Sequence, residues 1–194
     1  MRPKDFKEKT MTNPVKPYLG VTPTIADDVF IADNAAVIGD VHIGAGSSVW
    51  YSCVIRGDAG SHIRIGERVN VQDGTVIHLN GPREDGSDHM PTIIGDEITI
   101  GHSALIHACT LQSRCFIGMR SVVLDGAVVE TGAMVAAGAV VSPGKVVKAG
   151  ELWAGIPAKP LRDLRQAELD YWPESVATYC KLAQNHIKSG NGVK

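Results

Sequence analysis

Three histidines, His78, His102 and His107, have the type and spacing that could do chemistry. A neutral imidazole is a good ligand for a divalent metal, and three protein ligands with a fourth position left open characterise a catalytic rather than a structural zinc site. Whether these three can meet depends on the elements that carry them. Each is tied to an isoleucine: His78 directly follows Ile77, His102 lies two residues after Ile100, and His107 directly follows Ile106.

Those isoleucines belong to a repeat. Aliphatic residues recur every six positions at Ile25, Ile31, Val37, Ile43, Val49 and Ile55, then after an insertion at Ile65, Val71 and Ile77. After a longer insertion they return at Ile94, Ile100 and Ile106. A one-residue deletion then shifts them to Leu111, Ile117, Val123, Val129, Val135, Val141, Val147 and Trp153. A fixed short period with an aliphatic residue in each unit is the signature of a solenoid. Smaller residues often sit two positions earlier, as at Ala35, Cys53, Thr75, Ala104 and Ala133. Residues two apart on a strand face the same way, so each repeat sends one bulky and one small side chain inward. Gly44, Gly66, Gly95, Gly101 and Gly118 follow the aliphatic residue and are expected to let the chain bend there. Three such strands close one triangular coil.

The coil makes the histidine phase computable. From Ile77, the steps to Ile94, Ile100 and Ile106 complete one turn, so His107 stacks on His78 at the same outward position, about 4.8 Å away as neighbouring strands are. Two imidazoles so placed can share an ion that needs each nitrogen about 2.0–2.1 Å from it. Counting down one coil puts Arg56 below His78, with Asp58 two residues beyond at a turn, and puts Gln72 and Asp73 below Gly101 and His102. His102 belongs to the preceding face, around a corner, so a neighbouring subunit is expected to bring it to the other two, and a threefold assembly would make three equivalent sites.

Plainer accounts compete with this. A lone histidine on a solenoid is usually an outward polar residue, but three in register with Arg and carboxylates argue against that. Arg56 with Asp58 or Asp73 also reads as a structural ion pair. His42, His62, His89 and His186 lack such partners and are read as solvent-facing, and Cys109 and Cys115 as buried packing.

A net charge of −2, with 44% hydrophobic and 21% charged residues, gives no electrostatic lean toward nucleic acid or membrane. No run of about 20 apolar residues occurs, and Met1–Lys9 has no apolar core of a signal peptide. Four irregularly spaced cysteines form no CxxC pair, which points to a reducing compartment and a cytoplasmic location. The expected organisation is a flexible leader over 1–17, with Met11 as a candidate start, a β-helix domain over 18–157, and a helical segment over 158–194 packed on the solenoid. In that segment Val176, Cys180, Ala183 and Ile187 recur at helical spacing, with Pro173 suited to the first turn.

The segments Val54-Ile-Arg-Gly-Asp58, Val71-Gln-Asp-Gly-Thr75, Pro91-Thr-Ile-Ile-Gly95, Ile100-Gly-His102, Leu105-Ile-His107 and Gly155-Ile-Pro-Ala-Lys159 resemble the γ-class carbonic anhydrases, from about Tyr18 to Arg165. Periodicity alone gives no hand to the coil. The resemblance implies the left-handed parallel β-helix of hexapeptide-repeat proteins, and a homotrimer in which His78 and His107 of one subunit and His102 of the next bind one divalent metal per interface. Zinc is the first choice, iron or cobalt the alternatives. It further implies that Arg56 pairs across the interface with a carboxylate, here taken as Asp73, that Gln72 positions the metal-bound water, and that Tyr179 lies near the metal. The implied reaction is reversible hydration of carbon dioxide to bicarbonate, with metal-bound hydroxide as nucleophile. The archetypal family member carries glutamates beside the Arg-Gly-Asp turn and in an acidic loop. Here the first position is Ala59, and the loop offers Glu84, Asp85, Asp88 and His89, with Glu84 the candidate proton relay.

Two other functions fit parts of the pattern. A hexapeptide acyltransferase would use one histidine, His78, as a general base, but has no need of the other two. A non-catalytic assembly protein would keep the metal as a staple between subunits.

Overall fold

The computed structural model describes residues 13–82 and 90–192. The expected leader lies largely outside them, as do Met11, Glu84, Asp85, Asp88 and His89. The described chain winds into a left-handed parallel β-helix of seven coils with one C-terminal helix. Each coil places one short strand on each of three sheets. One face stacks Val15–Lys16, Ala36–Gly39, Val54–Gly57, Val76–His78, Leu105–His107, Val122–Val123 and Val140–Val141. A second runs from Thr24–Ile25 to Val146–Val147, and a third from Phe30–Ile31 to Glu151–Ala154.

The hexad positions fill the interior. Of the aliphatic ladder only Ile25, in the first coil, is half-buried, while Ile55, Ile77, Ile106, Ile117 and Val135 are completely enclosed. The small residues two positions earlier, Cys53, Thr75, Ala104 and Ala133 among them, are buried beside them. Each enclosed aliphatic side chain contributes about 1.5–3 kcal/mol of apolar burial, and the ladder repeats that gain in every coil.

Glycine does a different job from the one expected. Gly44 and Gly66 are not in the left-handed region; a Cβ on Gly44 would lie 2.7 Å from the Gly66 carbonyl, so close stacking of the coils is what excludes a side chain. The left-handed turns after Gly44, Gly66, Gly95, Gly101 and Gly118 come two residues later, at Gly46, Arg68, Glu97, Ser103 and Arg120.

Three boundaries differ from those expected. The leader ends before residue 17, because Val15–Lys16 pairs in parallel with Val37 and Ile38, and the Val37 amide donates to the Pro14 carbonyl at 2.8 Å. At the other end the segment after 158 begins as a strand, Lys159–Asp163, antiparallel to Glu151–Ala154. It covers a sheet edge that would otherwise be open. The helix, α1, spans Gln166–Lys188, so Pro173 lies inside it rather than in its first turn. Glu168 fixes the earlier start: it accepts from the Arg165 amide at 2.8 Å and from the two terminal guanidinium nitrogens of Arg162 at 2.8 and 2.6 Å.

α1 lies along the third face. Val176 and Ala183 are buried as the spacing predicts, joined by Trp172 and Ser175. Trp172 stacks on Phe116 with ring centres 6.3 Å apart, and the Ser175 and Thr99 hydroxyls are 3.1 Å apart. His186 is not free in solvent: its ring sits 5.1 Å from that of Phe30 and 5.2 Å from that of Trp50.

The ladder makes a direct prediction. Ile117, fully enclosed and paired with Ile100 and Val135, should cost about 2–5 kcal/mol when changed to Ala. Urea unfolding measures it, and a loss below about 1 kcal/mol would mean the coils collapse onto cavities more readily than close-packed interiors do.

Candidate metal centre

The backbone brings two histidines together. Val76, Ile77 and His78 pair residue for residue with Leu105, Ile106 and His107, so the two imidazoles project outward from adjacent strands while the isoleucines point in. Thr92, buried, locks this pair: its hydroxyl donates to the His78 carbonyl and accepts from the Ala108 amide at 2.9 Å.

His78 Nδ1 lies 3.3 Å from His107 Nε2. Two nitrogens held about 2.0–2.1 Å from one tetrahedral ion stand about 3.3–3.4 Å apart, so this donor pair fits a divalent metal. The third histidine is elsewhere. His102 follows the strand Thr99–Ile100 on the third face, and among the described residues no three His, Cys, Asp or Glu side chains of the single chain gather into a metal-holding group.

Each histidine has its own carboxylate. Asp58 Oδ1 is 3.2 Å from His78 Nε2, Asp73 Oδ2 is 2.9 Å from His102 Nδ1, and Asp125 Oδ1 is 2.6 Å from His107 Nδ1. Carboxylates of this kind choose the tautomer and orientation of a ligating imidazole. Arg56 pairs with Asp58 inside the chain, while Asp73, the residue taken as its partner across an interface, is occupied with His102. Asp58 can occupy its place because Gly57 has no side chain; a Cβ there would come within 2.4 Å of the Asp40 carbonyl. Burial works to raise the Asp58 carboxyl, but hydrogen bonds to His78 and Arg56 outweigh it and hold the group below its ordinary range. Burial, the Arg56 charge and the neighbouring His107 together outweigh Asp58 and hold His78 below the ordinary imidazole range.

The other expected site residues lie around His102. Gln72 is buried; it accepts from the His102 amide at 3.2 Å and donates to Asn70 at 3.1 Å. Gln72, His102 and Tyr179 line one cavity of about 300 Å³, whose walls include Phe116, Met119 and Met134. Burial, with the charge of Asp73 adding to it, pushes the Tyr179 phenol up, so it stands as a neutral hydroxyl. Glu84 lies outside the described residues. Burial pushes the Cys53 and Cys109 thiols up to about 12, which removes both as ready thiolate ligands.

A family model described as bacterial transferase hexapeptide (six repeats) matches residues 22–57. The chain is 47% identical over 170 residues, 88% of its own length and 60% of the relative's, to γ carbonic anhydrase 2, mitochondrial, of Arabidopsis thaliana. It is 44% identical over 155 residues, covering 80% of itself and 81% of the relative, to the carbonic anhydrase of Geobacillus kaustophilus. The chain belongs to the γ-class carbonic anhydrase family. It spans about 60% of the length of the plant γ carbonic anhydrases it matches. A crystal structure described as a hexapeptide transferase family protein from Anaplasma phagocytophilum superposes with a TM-score of 0.82 at 46% identity, covering 89% of this chain and 97% of that one.

Within this γ-class chain, Asp125 and Thr92 are the residues that sequence reasoning misses. A signal for Asp125 exists. Ile106 pairs with Val123 in the next coil, so counting upward from His107, in the way that counting downward reaches Arg56 and Asp58, arrives at Leu124 and then Asp125. Thr92 lies two residues before Ile94, at the small inward position of its repeat, which marks it as buried but not as the partner of the His78 carbonyl.

In metal-free protein the His78 ring protons should titrate below the ordinary imidazole value of 6.5. Proton NMR checks this, and a midpoint above 6.5 would mean that Asp58 outweighs burial and Arg56.

Proposed function

We propose that this chain catalyses reversible hydration of carbon dioxide to bicarbonate as a homotrimer, with one divalent metal at each interface, zinc first among the candidates. The observation that supports it most is the His78–His107 pair at 3.3 Å, with a carboxylate on the outer nitrogen of each ring. Family membership supplies the reaction, since relatives at 47% and 44% identity carry the carbonic anhydrase name. A divalent ion held by three imidazoles supplies Lewis acidity that makes water a nucleophile near neutral pH.

The chain's own residues would do the rest. His78 and His107 of one subunit and His102 of the next hold the ion, which explains why the single chain gathers only two of them. Asp58 and Asp73 would fix which nitrogen of the His78 ring and of the His102 ring is free. Gln72 and the neutral Tyr179 hydroxyl are hydrogen-bonding groups beside His102, placed to orient water and bicarbonate oxygens. The cavity wall of Phe116, Met119 and Met134 suits an apolar substrate as small as carbon dioxide. Apolar surface flanks both halves of the site: Val76 is 38% and Leu105 37% exposed beside the paired histidines, and Met119 is 53% exposed near His102. A second copy of the chain would cover both.

A metal-free reading has one observation in its favour. An Asp58–His78 pair could orient a general base for acyl transfer, and the Anaplasma relative is described as a transferase family protein. Metal content of the purified protein separates the two.

The test is stopped-flow hydration of carbon dioxide by zinc-loaded and anaerobically iron-loaded protein, side by side with chelated protein. Turnover should rise in proportion to bound metal and vanish on chelation. A fully loaded trimer with no hydration above buffer would overturn the catalytic reading and leave the metal as a structural staple.

A further inference from the structure

We infer that Asp125, anchored by Asn80, is a positioning residue that sets the ligand nitrogen of His107. The inference rests on the metal-centre reading above and concerns a residue that reading does not require.

Asp125 follows the strand Val122–Val123, one coil above His107. Its Oδ1 lies 2.6 Å from His107 Nδ1, the shortest of the three carboxylate–imidazole contacts, against 2.9 Å at Asp73 and 3.2 Å at Asp58. A carboxylate that close requires the proton on Nδ1, which then donates to it and leaves the Nε2 lone pair free. Nε2 is the atom that faces His78 Nδ1. With the other tautomer His107 would present an N–H, and with the ring flipped a C–H, where a ligand lone pair is needed.

The carboxylate is itself fixed. Its second oxygen accepts from the Asn80 side-chain amide, and Asn80 is held by two backbone hydrogen bonds with Met90, each 3.2 Å, at the foot of the long insertion. Asp58 differs in kind: its second oxygen pairs with Arg56, so its charge is shared with a guanidinium. Asp125 is held instead by a neutral amide, which orients it without drawing off its charge. The chain from Asn80 through Asp125 to His107 is the supporting shell that a metal site needs if its ligands are to be pre-set.

The experiment compares Asp125→Ala, Asp125→Asn and Asn80→Ala with the parent and with His107→Ala, all first stripped of metal and then titrated with cobalt(II) against a competing chelator. Affinity and the visible absorption of the cobalt are read, not turnover. Asp125→Ala should bind cobalt about 10- to 100-fold more weakly, with a shifted absorption spectrum, the scale usual for loss of a supporting hydrogen bond. Asp125→Asn keeps an oxygen able to accept from Nδ1 and should recover part of the loss, which a merely structural role would not predict. Asn80→Ala should fall between the parent and Asp125→Ala. Melting of the metal-free Asp125→Ala protein should match the parent, because the side chain is partly exposed at a turn. If His107→Ala loses cobalt while Asp125→Ala binds it with parental affinity and spectrum, the positioning role is overturned and the metal centre stands. Parental cobalt binding by His107→Ala would overturn both.

Discussion

Parallel strand register is the constraint on which the whole site depends. His78 and His107 are neighbours because residue 77 pairs with residue 106, and the backbone, not the side chains, sets their separation. A slip of one residue would turn His78 into the core and Ile77 out to solvent. The enclosed isoleucines on either side make that slip costly, since each would surrender its burial. In a solenoid each coil touches only its neighbours, so the register of the His78 and His107 coils is guaranteed locally by Ile55, Ile77, Ile106 and Val123 rather than by the molecule at large.

Charge follows from the same geometry. Stacking coils aligns turns as well as strands, and the turns beside the histidines carry Asp58, Asp73 and Asp125. Three carboxylates against three imidazoles would be an odd concentration of negative charge in a surface meant only for solvent. It has a physical reason if a divalent cation is the missing partner, with each carboxylate one bond behind a ligand. Arg56 relieves Asp58 alone, which is consistent with that carboxyl being the least exposed of the three, at 15% against 43% and 32%.

Much of this is legible in the sequence because a solenoid converts counting into coordinates. The hexad ladder identifies the interior residues, and three steps from Ile77 to Ile106 are enough to place His107 on His78. The same count places Arg56 in one column with His78, Asp58 two residues beyond it at a turn, and Gln72 and Asp73 one coil below Gly101 and His102. What counting does not supply is choice among partners. Arg56 is expected to pair with Asp58 or Asp73 and within the chain pairs with Asp58, because column arithmetic fixes where a side chain starts and not where its long stem ends. The ends of the chain are also opaque. Val15–Lys16 and Lys159–Asp163 are edge strands outside the repeat, set by an open sheet edge rather than by a pattern in the residues themselves. The start of α1 is misplaced by sequence reasoning because Pro173 is a stronger local signal than Glu168, whose two arginine hydrogen bonds depend on the chain reversal before it.

The central claim is that the metal centre is completed by a second chain, and complementation tests it most directly. His102→Ala chains and His78→Ala chains are each refolded alone and then refolded together at equal amounts, with mass spectrometry establishing that mixed trimers form. Neither homotrimer should bind metal. In a random closed trimer about a quarter of the interfaces would join His78 and His107 of one chain to His102 of its neighbour, so the mixture should recover about a quarter of parental metal content. If proven mixed trimers recover none, all three ligands belong to one subunit and the shared site is wrong.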